Sequence, residues 1–394
     1  MHILIISDAY PPMRTSCATQ IYDLAQAFIE QSHQVSIIIP AHSHKASVEI
    51  SNQDGLTIYS VRCFKTKDVG YVRRTLAEFI NPFIIWHQLK KNQPFLKQKI
   101  NKIVWYSPTI FWGPLVKQLK KHFTCKAYLI LRDIFPDWAY DLGLIKSKLV
   151  FQFFQRIARF QYAQAERIGT QSPNNLTYLK EKYPELSLKI EVLWNWIGDS
   201  KIKACSIKIS ETKLRGRKIF IYAGNMGVAQ GMEQIFSVVK ATKDNKEIGF
   251  VFVGRGSERV RLEALCKSIG IENVLFFNEI DSEEIPALYE QCDVGIITLD
   301  IRHRTHNIPG KFISYLKAGL QIFAILNNGN DLENLINKKS IGRAVPGNDS
   351  NVVLAEFIKF LGQISMHKPA HNRTSDELLE IFKSSKVALQ IANA

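Results

Sequence analysis

The stretch Thr305–Leu326, THNIPGKFISYLKAGLQIFAIL, puts a lysine inside the ingredients of an anion site. Pro309 suits the first turn of a helix because it has no N–H to leave unbonded. Phe312, Ile313 and Leu316 follow at helical spacing, and Gly319 suits the left-handed residue that ends the helix. Gln321–Leu326 is then a short apolar run of the kind that forms a buried parallel strand. A helix N-terminus beside such a sheet presents free N–H groups and a positive dipole end to an anion, typically phosphate. Two other turns share this character. In KIFIYAGNMG, Gly224 and Gly227 flank a tight turn feeding a helix from Gln230 to Val239, and in FVFVGRGSE, Gly254 and Gly256 follow a second strand, although a lone G-x-G more often marks a turn than a site. Arg132 and Asp133 stand together after another apolar run; Arg132 could clamp a diphosphate bidentately and Asp133 could orient it or touch a sugar hydroxyl, and either residue could equally cap the next element. The loop Arg302–His306 holds two Arg and two His, a cluster that contacts anions or sits in solvent. A metal site from His303 and His306 lacks a third ligand nearby, so no metal site is assigned.

These residues need a frame, and the apolar runs supply one. Strands are predicted at Ile3–Ser7, Val35–Ile39, Leu56–Arg62, Ile103–Tyr106, Tyr128–Leu131, Ile168–Gln171 and Ile190–Leu193, most of them separated by helix-sized segments. The first helix is expected from Ser16, whose hydroxyl can cap it, to Ile29. From Leu193 to Lys218 the periodicity is lost and Lys, Ser and Gly accumulate, which places a linker at 197–217. A second series opens at Lys218 and continues through Phe250, Val274–Ile280, Gly295–Leu299 and Gln321–Leu326. Val352–Leu361 and Glu377–Leu389 read as helices near the end. Such alternation makes the chain α/β, with mostly parallel sheets and ligands outside the carboxyl ends of the strands. The expected division is a domain at 1–196, a second at 218–370 and a last helical segment at 371–394.

The run PGKFISYLKAG, Pro309–Gly319, resembles the donor-site segment of the retaining glycosyltransferases of family 4, written P-S-K-x-x-E-Y-M-A-x-G. RDIFPDWAYDLG and YAGNMGVAQGM are similar to segments of the branch that includes bacterial L-fucosamine transferases of O-antigen and capsule assembly. The resemblance implies the GT-B fold: two Rossmann-like, doubly wound domains facing a central cleft, with the last helix returning to the first domain. It implies a hexosyltransferase-type enzyme that moves a sugar such as N-acetyl-L-fucosamine, with retention, from a UDP-sugar to a polyprenyl-diphosphate-linked acceptor. By the same resemblance Lys311, Arg132 and Asp133 are the expected catalytic residues, and Arg14, Thr15 and Ser16 form the acceptor-side loop where relatives have paired glycines. The donor would be held by Gly224, Asn225, Met226, Gly227 and Gln230, by Gly254 and Arg255, by Phe277 and Asn278, and by His306, Asn307, Ile308, Pro309, Gly310 and Ser314. The chain departs from the family at several of these positions. His306 and Ser314 stand where relatives have two glutamates, and Asn225 and Gln230 where relatives have an Arg and a Lys. Backbone N–H groups at Met226–Val228 and helix dipoles are then expected to carry more of the diphosphate, with Lys311 as the cation and Arg255 second. No cofactor is expected, since the donor is a substrate and no D-x-D pair sits at a strand end to hold a metal.

At 394 residues and 46% hydrophobic composition, the chain is long enough for two packed cores. Six cysteines, with no C-x-x-C spacing, suit free thiols in a reduced compartment. No apolar run approaches the ~18 residues that span a bilayer, and MHILIISDAY lacks a basic leader; a cytoplasmic chain, peripheral on the inner face of the bacterial plasma membrane, is expected. The net charge of +15 is uneven: between Arg62 and Lys126 stand fourteen basic residues against Asp68 and Glu78. Tyr71, Phe79, Phe83, Ile84, Ile85 and Trp86 are interleaved with them, a pattern that fits contact with an anionic membrane, through Arg73, Arg74, Lys90 and Lys91. Two other readings stay open. A sugar-nucleotide 2-epimerase of the same fold would need acid/base side chains at the sugar ring, and a basic nucleic-acid-binding protein would use the 62–126 stretch as a phosphate track, although no nucleic-acid motif accompanies it.

Overall fold

The computed structural model describes every residue except 14, 43–45, 199–201, 303–307, 348 and 365–372. It divides into two units, Met1–Gly198 with Lys383–Ala394, and Asp199–Phe382. The first contains β1 (His2–Ile6), β2 (Gln34–Ala41), β3 (Val48–Gln53), β4 (Leu56–Arg62), β5 (Lys102–Ser107), β6 (Lys126–Leu131), β7 (Arg167–Thr170) and β8 (Ile190–Val192). Their order is β3-β4-β2-β1-β5-β6-β7-β8, parallel except for β3, which pairs antiparallel with β4. Strand side chains alternate between faces. Ile3 and Ile5 join a core with Ile21, Leu24 and Phe28 of the Ser16–Glu30 helix, and Leu4 and Ile6 join another with Ile85 and Leu89 of the Tyr71–Leu89 helix and Leu115 of the Gly113–Phe123 helix.

The second unit contains β9 (Lys218–Ala223), β10 (Ile248–Val253), β11 (Val274–Phe277), β12 (Val294–Thr298), β13 (Gln321–Leu326) and β14 (Gly342–Pro346). Every pairing is parallel, in the order β11-β10-β9-β12-β13-β14. Winding therefore reverses between β9 and β12, the switch point where ligands of open α/β sheets bind.

Several expectations change. Val48–Gln53 is a strand that no burial pattern in the sequence predicts, because its residues are almost all exposed and the edge pairing with β4 is what orders them. Glu377–Leu389 is two helices rather than one, Arg373–Ile381 in the second unit and Ser384–Asn393 in the first. The latter buries Val387, Ala388 and Ile391 against the Ser16–Glu30 helix face, and the buried ammonium of Lys102 donates to the carbonyls of Ile391, Ala392 and Ala394 at 2.7, 2.9 and 3.0 Å. Much of the 197–217 stretch packs on the second unit: Ile207, Ile209 and Leu214 are buried, and the Gln291 side chain bonds the backbone of Ile207 and Ile209. Of the residues expected at a membrane, Ile85 is in the core and Trp86 is half-buried, its ring 6.1 Å from that of His122. Arg74 is paired with Glu78 at 2.7 Å.

Candidate active site

The loops leaving β9, β10, β11 and β12 carry the expected donor residues, and the structure brings most of them together. After β9, the hydroxyl of Tyr222 donates to the Asn225 carbonyl at 2.6 Å and shapes the Gly224–Gly227 turn. After β10, Gly254 and Gly256 have φ of +141° and +148°, and added side chains would meet the Gly224 and Met226 carbonyl oxygens at 2.1 and 2.2 Å. Two hydrogen bonds lock these turns, from Met226 N–H to the Arg255 carbonyl at 2.7 Å and from Glu258 N–H to the Met226 carbonyl at 3.0 Å. The G-x-G is thus required by backbone contact.

After β12 comes the Gly310–Lys317 helix. Pro309 precedes it instead of opening it, with an extended backbone (φ −65°, ψ 139°), and Gly319 ends it at φ +67° as expected. Phe312, Ile313, Tyr315 and Leu316 are buried, and the Tyr315 hydroxyl donates to the carbonyls of Ile221 and Ile296 at 3.2 and 3.3 Å, fastening the helix to β9 and β12. Gly295 lies under that ring, where a Cβ would fall 2.3 Å from it. The Lys311 ammonium reaches back to 3.5 Å from the centre of the Tyr222 ring and lies 3.4 Å from where a Cβ on Gly224 would be. Burial pushes this ammonium down to about 7, and the face of the Tyr222 ring offsets part of that cost by attracting the cation.

The other anion-binding expectations fare differently. Arg255 is exposed and paired with Glu279 at 3.1 Å, which leaves Lys311 as the better-placed cation. Asn225 and Gln230 bond each other at 3.2 Å. The N–H of Met226 is engaged by Arg255, and that of Gly227 donates to the Gln230 side chain at 3.1 Å. This corrects the expectation of a backbone cradle at Met226–Val228, because two of its three donors are already satisfied inside the turns. Ser314 donates to the Gly310 carbonyl at 3.3 Å. Phe277 accepts the Gly254 N–H at 3.1 Å, the amide oxygen of Asn278 accepts from Arg259, and Ile308 is buried. His303, His306 and Asn307 lie outside the described residues.

In the first unit, Arg132 leaves β6 and donates to the amide oxygen of Asn195, which also accepts from Gln20. Its guanidinium lies 5.8 Å from the centre of the Tyr106 ring, and its carbonyl accepts from Gln171 at 2.6 Å. Asp133 follows it, half-buried. Lys67 donates to the Asp8 carbonyl at 3.0 Å beside a small cavity of about 20 Å³ lined by Asp8, Thr66, Glu78, Asn81, Thr109 and Trp112. Burial pushes the nearby Cys17 thiol up to about 12, which makes it a poor nucleophile. Thr15, not Ser16, caps the first helix, accepting the Ala18 N–H at 3.2 Å from extended backbone, whereas Ser16 is already helical. Arg14 lies outside the described residues. Among those residues no three His, Cys, Asp or Glu converge as a metal site.

Residues 206–362 match the family model described as glycosyl transferases group 1. The chain has the GT-B fold, and its second unit carries a glycosyl transferases group 1 domain. It is similar to the probable glycosyltransferase WbjE of Pseudomonas aeruginosa, with 26% identity over 61% of each chain. It is also similar to the putative colanic acid biosynthesis glycosyl transferase WcaI of Escherichia coli (strain K12), with 22% identity over 81% of this chain and 82% of that one. Among solved structures, sucrose-phosphate synthase from Thermosynechococcus elongatus superposes with a TM-score of 0.75 at 15% identity, covering 100% of this chain and 97% of the synthase. Anabaena HepE in complex with UDP has a TM-score of 0.66 at 13% identity, over 100% and 99% of the two chains. No helix among the described residues of the chain is long and apolar enough to cross a membrane.

Proposed function

We propose that this enzyme transfers a sugar, with retention, from a uridine diphosphate sugar to a polyprenyl-diphosphate-linked acceptor during O-antigen or capsule assembly. The sugar, an N-acetylated deoxyaminosugar of the N-acetyl-L-fucosamine type, is suggested by the segments Arg132–Gly143 and Tyr222–Met232. The observation that carries the reading is the Lys311 ammonium, buried between the Tyr222 ring and the Gly224 turn at the point where winding reverses. A departing diphosphate gains charge in the transition state, and a preorganised cation with the Gly310–Lys317 helix N-terminus stabilises that charge more than the ground state. Binding of UDP by HepE, which shares the fold, supports the donor class. No divalent ion is required in this reading, because Lys311 takes the metal's role.

Arg132, oriented by Asn195, and Asp133 are proposed to act on a diphosphate and a sugar hydroxyl. The basic 62–126 stretch would attach the enzyme peripherally to an anionic membrane, on the cytoplasmic face of the bacterial plasma membrane. Incubation with uridine diphosphate sugars and a lipid-linked acceptor tests this. Glycosylated acceptor is the expected product, whereas an epimerised donor, or no reaction with any donor, overturns the reading.

A further inference from the structure

The Tyr71–Leu89 helix is apolar on the wrong side for a simple surface helix. Ala77, Asn81, Pro82, Ile85 and Leu89 are buried, yet Val72, Leu76, Phe79, Ile80 and Phe83 are exposed, Val72 by 76%. Their spacing lines them along one outward stripe. A second set lies far away in sequence. Leu149, Val150 and Phe153 of the Lys148–Ala163 helix are exposed, Leu149 by 78%, together with Tyr140 and Leu144 just before it.

A row of aromatic rings joins the two sets. Phe79 meets Phe111 at 6.2 Å, Phe111 meets Phe154 at 6.4 Å, and Phe154 meets Phe153 at 5.4 Å. Phe135 adds to the row, 5.2 Å from Phe154. Phe111 is buried in the core and Phe135 and Phe154 pack partly buried against it, so the row ties the two exposed sets together from beneath on the first unit. Exposed apolar sets of this size are ones that monomeric chains rarely leave in water without a use.

Its charge selects the occupant. The Lys148–Ala163 helix carries three basic residues and no acid, and Arg73, Lys146, Lys148 and Arg156 are exposed with no ion pair among the described residues. Exposed aromatic and aliphatic side chains flanked by unpaired cations match an anionic interface. A symmetric pairing with a second copy would bring these like charges together, which disfavours that occupant.

We infer that the Lys148–Ala163 helix, the Tyr140–Leu144 segment and the outer stripe of the Tyr71–Leu89 helix form one surface that lies on an anionic lipid monolayer. This deepens the membrane reading by adding a second helix and an orientation, and rests on that reading only for its biological purpose. Phe135 lies in the loop that begins at Arg132, and Phe111 in the loop after β5. These rings anchor the segment from Arg132 to the exposed Tyr140 and Leu144, so seating Tyr140 and Leu144 in lipid holds Arg132 near headgroup level, where the diphosphate of a lipid-anchored acceptor would lie.

Co-sedimentation of the full chain with phosphatidylcholine vesicles, with and without phosphatidylglycerol, tests the surface without donor or acceptor, so its outcome is separate from that of the transfer assay. Wild type should bind the anionic vesicles and be released by salt. Leu149→Ser with Phe153→Ser, and separately Lys148→Glu with Arg156→Glu, should each lower the bound fraction about tenfold or more while the Tyr71–Leu89 stripe stays intact. Unchanged circular dichroism and UDP affinity would show that the variants fold. Wild-type binding by both double variants, or equal binding to neutral and anionic vesicles, overturns the proposal. So does a wild-type dimer that the Leu149/Phe153 variant dissolves with no change at vesicles, which would make the surface a contact between copies.

Discussion

The Lys311 ammonium lies 3.5 Å from the centre of the Tyr222 ring, and the hydroxyl of that tyrosine donates to the Asn225 carbonyl at 2.6 Å. One side chain therefore faces the cation and shapes the glycine turn beside it. Lys311→Ala should lower turnover by roughly 100-fold or more, as removal of a transition-state donor does. Tyr222→Phe keeps the ring and should change turnover only a few-fold, whereas Tyr222→Leu removes the ring and should approach the lysine variant. Steady-state rates on the three variants decide, and unimpaired turnover in Lys311→Ala would place the chemistry elsewhere.

The protonation of Lys311 gives a pH dependence with a definite sign. Its ordinary value of 10.5 falls to about 7 in the folded protein, so from about 7 to 10.5 the unfolded chain holds a proton that the folded chain has lost. The lysine's contribution to stability therefore rises with pH across that window. Affinity for an anion moves oppositely, since the free protein loses its cation above about 7. Calorimetry with UDP should show affinity falling, by up to about tenfold per pH unit, with proton uptake on binding; Lys311→Met should abolish both.

Turnover should be unchanged in a chelator. Activity lost on chelation and restored by magnesium or manganese would show that Lys311 does not replace a metal.

Ser314→Ala should weaken UDP binding by about 0.5 to 1.5 kcal/mol with little change in kcat, since a hydroxyl offers one hydrogen bond where relatives have a carboxylate. In the structure that hydroxyl donates to the Gly310 carbonyl at 3.3 Å, so the loss belongs at the low end of the range. A large fall in kcat would assign Ser314 a transition-state contact instead.

Gly256→Ala places a Cβ 2.2 Å from the Met226 carbonyl oxygen at φ +148°, and should destabilise the second unit by on the order of 2 kcal/mol or more. Gly270→Ala is the control, with φ +67° and nothing within 4 Å of the added atom. Urea unfolding should separate the two; equal midpoints would mean that the turns are not locked together.

Most strands were legible because buried parallel strands are written as apolar runs, from HILII of β1 to QIFAIL of β13. The relations between them were less so. Tyr222 sits in an apolar run and reads as core, which it also is; nothing local announces that its ring faces a lysine 89 positions later. Asn195 falls where periodicity fades, and its contact with Arg132 arises only because β6 and β8 end at the same edge of the sheet. Arg255 looks like a free cation until the fold supplies Glu279. The break near Phe382 was invisible because no Gly or Pro marks it and the apolar positions continue across it into another unit.

The Ser384–Asn393 helix, held at its last carbonyls by Lys102, belongs to the unit whose other residues come first in the chain. On a ribosome, that unit waits for a piece of itself until the whole of Asp199–Phe382 has emerged. The apolar face of the Ser16–Glu30 helix that receives Val387 and Ile391 is exposed throughout that interval. Of the two units, the one that starts first is thus finished after the other, and it is the one that a chaperone would have to guard during synthesis.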